Sequence, residues 1–503
     1  MSLYHSTRSR AEECSAKEAI RQGLAPDGGL YVSDDLGSAK VDVDGLAELD
    51  YAAIARNVLG LLLPDYTADE IAACVDEAYT GTFASPEVTP VVPLAKAPGA
   101  AAGPRAHVLE LYHGPTSAFK DVALQMLPRL MARAQASAGA GEKIMIVTAT
   151  SGDTGKAALA GFADAPGCGI TVFYPEGKVS RVQELQMTTQ AGGNVAVVAV
   201  RGNFDDAQSA VKRIFADRAL AERLAAAGIV PSSANSINVG RLVPQVVYYF
   251  AAYAQLLRAG AIAAGDAVEF CVPTGNFGDV LAGYYAKLLG LPVSKLVVAS
   301  DKNNVLFDFL TTGVYDRNRP FFTTTSPSMD ILISSNLERM LYYLSGGDCE
   351  LIARLMADLA ETGRFEVPAE LLAKIQETFA CGWADEDEVA GAIAASWREN
   401  AYLIDPHTAC GYHVLEKLPV AAGSAARVLL STASPYKFPR AVLEALGEDV
   451  PADDFACMRK LEEVTGTTAP AQLAALESAH ERFSDVVDVA GMGAYVENAA
   501  LRL

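Results

Sequence analysis

Between residues 143 and 430, short runs of β-branched and apolar residues alternate with stretches of helical periodicity. This alternation restricts the chain to an α/β fold more firmly than any other feature. The runs are 143–147, 170–174, 195–200, 268–272, 296–299 and 428–430. Parallel strands need crossover connections, which helices supply, so the expected architecture is mostly parallel sheets flanked by helices. Ahead of this region the apolar spacing from 46 to 82 is helical, broken at Pro64, and Thr67-Ala68-Asp69-Glu70 has the form of a capped helix start. A connector rich in Pro, Gly and Ala runs from Pro90 to Pro104, and residues 335–400 and 457–482 again read as helical. With 503 residues, 51% of them hydrophobic, the chain exceeds one ordinary core. The expected division is a small, mainly helical domain at 1–100, a region of two α/β subdomains at 101–455, and a helical segment at 456–503.

Charge narrows the partners. Against 40 basic residues stand 61 acidic ones, for a formal net charge of -21, so nucleic acid and anionic membrane surfaces are repelled. A small anionic ligand is still admissible, because a helix N-terminus with one or two basic residues makes a local positive pocket. The N-terminal stretch has no apolar core of a signal sequence, and no run of about eighteen apolar residues occurs, so a cytoplasmic location is expected. The eight cysteines are scattered and read as reduced thiols. No metal site is expected: His107, His113, His407 and His413 lack ligand spacing, and the last two read as packing or loop hydrogen bonding.

Five segments carry candidate chemistry. His113-Gly114-Pro115-Thr116-Ser117-Ala118-Phe119-Lys120 places Lys120 at the start of an apolar, helix-patterned stretch. There it is either a surface lysine of a first helical turn or a desolvated amine able to bond an aldehyde cofactor. Thr274-Gly275-Asn276-Phe277-Gly278-Asp279 lies between a strand and a helix, as a plain βα turn or as a phosphate cradle built from backbone N–H groups and the helix dipole. Its spacing fits neither a dinucleotide nor a nucleoside triphosphate loop. Ser151-Gly152-Asp153-Thr154-Gly155 offers a second anion site, with Ser151 and Thr154 hydroxyls beside free amides. In the segment 232–241, Asn238 and Arg241 are either an N-cap with a solvated arginine or a binding pair for phosphate or carboxylate. Finally, Ser431-Thr432-Ala433-Ser434-Pro435-Tyr436-Lys437-Phe438 follows a strand at a sheet's carboxyl edge, where ligands of open α/β sheets collect.

In this order the segments resemble the threonine synthase family of the pyridoxal-phosphate fold type II superfamily, and Gln22-Gly23-Leu24-Ala25-Pro26-Asp27-Gly28-Gly29-Leu30-Tyr31-Val32 is similar to its leading domain. The resemblance implies a carbon–oxygen lyase acting on phosphates. It would convert O-phospho-L-homoserine and water to L-threonine and phosphate by pyridoxal-phosphate-dependent β,γ-elimination and replacement, the last step of threonine biosynthesis. It implies Lys120 as the catalytic lysine that bonds the cofactor's aldehyde, Gly275, Asn276, Phe277, Gly278 and Asp279 around the cofactor phosphate, and Thr432 at the pyridine nitrogen. The substrate's own phosphate needs a separate site, and Ser151, Thr154, Asn238 and Arg241 are the candidates. Ser434 and Tyr436 depart from the family pattern, which has a histidine and a small residue there. Two other readings stand beside this one: a fold type II dehydratase, which has no use for a second phosphate pocket, and a non-catalytic sensor, which has no use for an imine-forming lysine. The oligomeric state is left open.

Overall fold

The computed structural model describes residues 3–98, 106–138, 141–150 and 152–503. The end of the Pro90–Pro104 connector and the candidate Ser151 therefore lie outside the described residues.

Two sheets organise the molecule. The larger has six strands in the order Phe379–Trp383, Val293–Ser300, Ala267–Pro273, Ser424–Ser431, Ala106–Glu110 and Val91–Pro93. All its neighbours are parallel except Val91–Pro93, which runs antiparallel to Ala106–Glu110 at the edge. The second sheet has five strands, all parallel, in the order Asp485–Asp488, Val195–Arg201, Cys168–Pro175, Lys143–Ala149 and Ile229–Ser232. The strands Cys168–Pro175 and Ala267–Pro273 are buried along almost their whole length, as parallel strands covered on both faces must be. Helices Lys120–Ala138 and Val239–Arg258 pack against one another and belong to one continuous apolar core with strands of both sheets.

All six runs expected as strands are strands, and the helix Tyr51–Leu62 stops before Pro64, which cannot extend it. The next helix, Ala68–Tyr79, starts on a full capping box: the Thr67 hydroxyl accepts the Glu70 amide, and the Glu70 carboxylate accepts the Thr67 amide. The structure departs from expectation in three places. The leading region adds a three-stranded antiparallel sheet, Ser9–Cys14, Tyr4–Ser6 and Tyr31–Val32, to its helices. The helical stretch 335–400 contains the strands Arg364–Glu366 and Phe379–Trp383, and the chain's last part supplies the strand Asp485–Asp488 to the five-stranded sheet. These strands are short, and helical periodicity on either side hides them.

Candidate active site

The candidate segments lie just beyond the carboxyl ends of parallel strands, and the approach of Lys120 and Lys437 to Asp153 brings segments from both sheets together. At the strand Ser424–Ser431, the Thr432 carbonyl accepts the Phe119 amide at 2.8 Å and Ala433 bridges to Ala118. The turn before Lys120 is closed by Asp121, whose carboxylate accepts the Thr116 amide at 2.8 Å and the Thr116 hydroxyl at 2.6 Å, while Ser117 takes a positive φ of 58°. Lys120 thereby opens the helix Lys120–Ala138 with its side chain turned inward and only 7% exposed. The alternative of a surface lysine is removed.

Lys120 Nζ lies 3.2 Å from Ser328 Oγ and 4.0 Å from Asp153 Oδ2. Burial pulls the amine down, against the opposing charge of Asp153 and with help from Arg241 and Lys437, to about 8. Asp153 sits between two cations, its other oxygen 2.6 Å from Lys437 Nζ. Burial works against its charge, yet Lys437 and Lys120 hold its carboxyl below the usual carboxylate range. An amine that titrates this close to neutrality is both a competent nucleophile and a usable acid and base.

Across from the amine, residues 275–279 lead into the helix Gly278–Leu288. Among the described residues none of the amides of Gly275, Asn276, Phe277, Gly278 or Asp279 donates to a protein acceptor. Phe277 adopts a left-handed φ of 61°, rare for a residue with a side chain, and its buried ring packs 5.6 Å from that of Phe379. Gly275 is needed for space, because a Cβ there would come within 2.7 Å of the Ser328 carbonyl oxygen. Unused amides at a helix N-terminus suit a phosphate. The Asp279 side chain is engaged elsewhere, with its Oδ1 accepting the Tyr248 hydroxyl at 2.5 Å and the Tyr249 hydroxyl at 3.1 Å. Burial raises its carboxyl, against those two hydrogen bonds, to about 6.

Around the second sheet, Thr150 Oγ1 accepts the amides of Gly152 and Gly155, each at 2.9 Å, which shapes the start of the helix Asp153–Phe162. Thr154 stands half-buried in its first turn. Lys156, the residue that invited comparison with a nucleotide loop, is tied to Gln190 at 2.6 Å. Arg241 is buried, donates from Nη1 to the Ala234 carbonyl at 2.7 Å, and has a partnerless Nε; among the described residues no carboxylate pairs with it. Burial lowers it to about 10. Asn238, grouped with it from sequence, is a correction. Its Oδ1 caps the helix Val239–Arg258 by accepting the Gly240 amide at 2.9 Å, and its Nδ2 donates to the carbonyls of Ile20 and Ser233 at 2.9 and 3.4 Å. Every polar atom of that amide is spent on the fold, so the N-cap alternative holds and Asn238 leaves the substrate set.

Three further features complete the site, none of them among the site residues expected from sequence. Ser328 touches the Lys120 amine; Ser334 donates to the Gly275 carbonyl at 2.7 Å, and the Asn336 amide donates to the Asn276 carbonyl at 3.1 Å, so residues 326–336 frame the loop 275–279. Arg339, fully buried, spreads its guanidinium over carbonyls of Tyr31, Ser236 and Ile237 and the Asn336 side chain, fastening the leading domain to that frame. His407, expected to serve packing or loop hydrogen bonding, does the latter at the site itself: it is 2.6 Å from Asp405 and accepts the amide of the loop residue Ser328. Ser334-Ser335-Asn336 was the one readable signal, since small polar residues clustered before a helix also mark the segment 232–241.

The residues fit pyridoxal phosphate. A buried, weakly basic lysine and a row of unused amides supply what an aldehyde and its anionic tail require.

Comparison with known proteins agrees. Family models described as threonine synthase N terminus, pyridoxal-phosphate dependent enzyme, and threonine synthase C-terminal match residues 3–79, 84–432 and 408–496. The chain is 37% identical over 457 residues to human threonine synthase-like 1, covering 86% of this chain but spanning only 59% of the relative. To threonine synthase of Pseudomonas aeruginosa it is 38% identical over 444 residues, covering 88% of this chain and 90% of the relative. The crystal structure of pyridoxal-phosphate-bound threonine synthase from Brucella melitensis superposes with a TM-score of 0.86 at 38% identity, over 99% of this chain and 100% of that one. The chain belongs to the threonine synthase family of pyridoxal-phosphate-dependent enzymes, with the fold type II architecture.

Proposed function

We propose that this chain forms L-threonine and phosphate from O-phospho-L-homoserine and water. The observation that carries this reading is Arg241: a buried guanidinium without a carboxylate partner, within electrostatic reach of Lys120, provides a second anion site that a dehydratase acting on unphosphorylated amino acids does not need. Lys120 is proposed to bond the aldehyde of pyridoxal phosphate, the amides of Gly275, Asn276, Phe277, Gly278 and Asp279 to hold its phosphate, and Thr432 to meet its ring nitrogen. When bound, that cofactor supplies an electron-withdrawing system which acidifies the carbon–hydrogen bonds of an attached amino acid.

The chain's own groups then divide the chemistry. Lys120 Nζ, once free, removes the α-proton and then a β-proton, whose electron pair expels the γ-phosphate, and later returns protons to the γ- and α-carbons, its basicity set by burial and the balance of Asp153 against Arg241 and Lys437. Arg241 binds the departing phosphate and stabilises the charge it gains as its bond to the γ-carbon breaks. Thr154 supports it, and so does Ser151, which is proposed on sequence alone. Water completes the product at the β-carbon.

The division into 1–100, 101–455 and 456–503, with catalysis between the two α/β subdomains of the middle region, accompanies this reading, as does a cytoplasmic location without a nucleic-acid or membrane partner. No described helix is long and apolar enough to cross a membrane. The test is a visible absorption spectrum of the purified protein before and after borohydride, followed by phosphate release from phosphohomoserine and ammonia release from serine and threonine. A band abolished by borohydride together with phosphate release is expected. Faster deamination of serine than release of phosphate would overturn the assignment.

A further inference from the structure

Three separate parts of the site meet at Ser328. Its hydroxyl is 3.2 Å from Lys120 Nζ, its carbonyl oxygen occupies the space that Gly275 leaves open, and its amide donates to His407 Nε2 at 3.2 Å. A backbone amide can only donate, so Nε2 carries the lone pair and the imidazole proton sits on Nδ1, which donates to Asp405 at 2.6 Å. Asp405 is itself immobile: it caps the helix Pro406–Lys417, accepting the amides of His407 and Thr408 at 3.0 and 3.2 Å and the Thr408 hydroxyl. The Phe438 ring closes on the imidazole, with centroids 5.0 Å apart. Orientation and tautomer of His407 are therefore both determined, and through them the position of Ser328.

We infer that Ser328 is a catalytic residue that holds the Lys120 amine whenever that amine carries no covalent partner, and that Asp405 and His407 are positioning residues that hold Ser328 in place. The inference rests on the reading of Lys120 as the acid and base. A released lysine has a long flexible stem, and a proton transfer needs the amine at one place in both of its protonation states. A hydroxyl meets that need, since it accepts from an ammonium and donates to the lone pair of a neutral amine. Asp153, at 4.0 Å, serves only the charged form. The other charged groups facing the amine are Arg241, Lys437, Asp121 and Asp279, and those facing His407 are Asp405 and Asp153. None duplicates the hydroxyl.

The test compares the holoenzyme with Ser328→Ala, His407→Phe and His407→Gln. Ser328→Ala is expected to lower kcat about tenfold with KM for phosphohomoserine within about twofold, because positioning is lost and binding is not. The acid limb of its kcat–pH profile moves down by about half a unit, since the hydrogen bond lost is stronger to the ammonium than to the neutral amine. In His407→Phe, amide hydrogen exchange over residues 321–333 rises and kcat follows that of Ser328→Ala. In His407→Gln, whose amide oxygen can accept in place of Nε2, protection and most of kcat return. A Ser328→Ala profile superimposable on the wild type overturns the inference, as does equal exchange in the two His407 variants. Should the wild type release no phosphate, the functional reading fails by itself. The rate at which Lys120 captures pyridoxal phosphate, followed by absorbance, still decides the positioning claim: unchanged capture in Ser328→Ala refutes it.

Discussion

Replacing Asp153 by Asn removes the one carboxylate that, among the described residues, ion-pairs with either buried lysine of the site, Lys120 at 4.0 Å and Lys437 at 2.6 Å. At 4.0 Å and an effective dielectric of about 20, a unit charge supports the protonated amine by about 4 kcal/mol, or about three pH units. The Lys120 amine, held at about 8 with Asp153 in place, is then expected to titrate lower, displaced further by a Lys437 left without its counter-ion. Phosphate release from phosphohomoserine, followed at saturating substrate from about pH 5 to about pH 9, reports the lysine in the substrate complex through the acid limb of kcat. That limb should move down by more than one unit. The folded state loses about 3–5 kcal/mol at neutral pH, because a buried lysine is stranded. Asp153 titrates below its ordinary value of 3.8 in the fold, so its contribution is complete above that pH and is lost only as pH falls through the folded value. Denaturant titrations should accordingly show the variant's deficit at pH 7 and its disappearance in strong acid. An acid limb that stays in place, or moves up, would refute the electrostatic account of Lys120.

Arg241→Met should raise KM for phosphohomoserine at least about tenfold while leaving the spectrum of the bound cofactor intact, since one charge-assisted contact to the substrate phosphate is worth about 1.5–3 kcal/mol; an unchanged KM would remove Arg241 from the site. Asn238→Ala should cost about 1 kcal/mol or more in thermal or denaturant stability through the lost helix cap, with KM unchanged. Gly275→Ala drives a methyl to 2.7 Å from the Ser328 carbonyl and should both weaken cofactor retention in dialysis and lower kcat, at a packing cost of about 1–3 kcal/mol.

Sequence alone exposed those parts of the site whose cause is local. Glycines and small polar residues at 150–155, 232–241 and 274–279 follow strands and precede helices because backbone amides must be left free or capped there, and that requirement is written within a few residues. The contacts that complete the site are written across the chain: Lys120 to Ser328, Ser328 to His407, and Lys437 to Thr116 join residues 208, 79 and 321 positions apart. Asp405-Pro406-His407 was readable as a helix start, with an N-cap aspartate and proline in the first turn, but nothing nearby says which group the imidazole would meet. Asn238 shows the converse limit. The same two polar atoms serve an N-cap or a ligand, and only the placement of Ile20 against the helix decides it. The strands at 379–383 and 485–488 were hidden for a similar reason, because a short strand at a sheet's edge borrows its order from a neighbour far away in the chain.

Net charge shows how far global and local properties separate. A chain of charge -21 buries Lys120, Lys437 and Arg241 around a single ion-paired carboxylate, Asp153. Buried Asp121 and Asp279 also act on the lysines through their charge, whereas Arg241 has no carboxylate partner among the described residues, an arrangement that costs several kcal/mol unless something negative arrives. The acidic exterior does not offset this, because exposed charges more than about 8–10 Å away are screened by salt while the buried ones are not. The proposed ligands would offset it, with one phosphate held by the amides at 275–279 and a second by Arg241. The buried guanidinium that no described carboxylate pairs, rather than the net charge of the interior, is therefore the physical reason for proposing a phosphorylated substrate beside a phosphorylated cofactor.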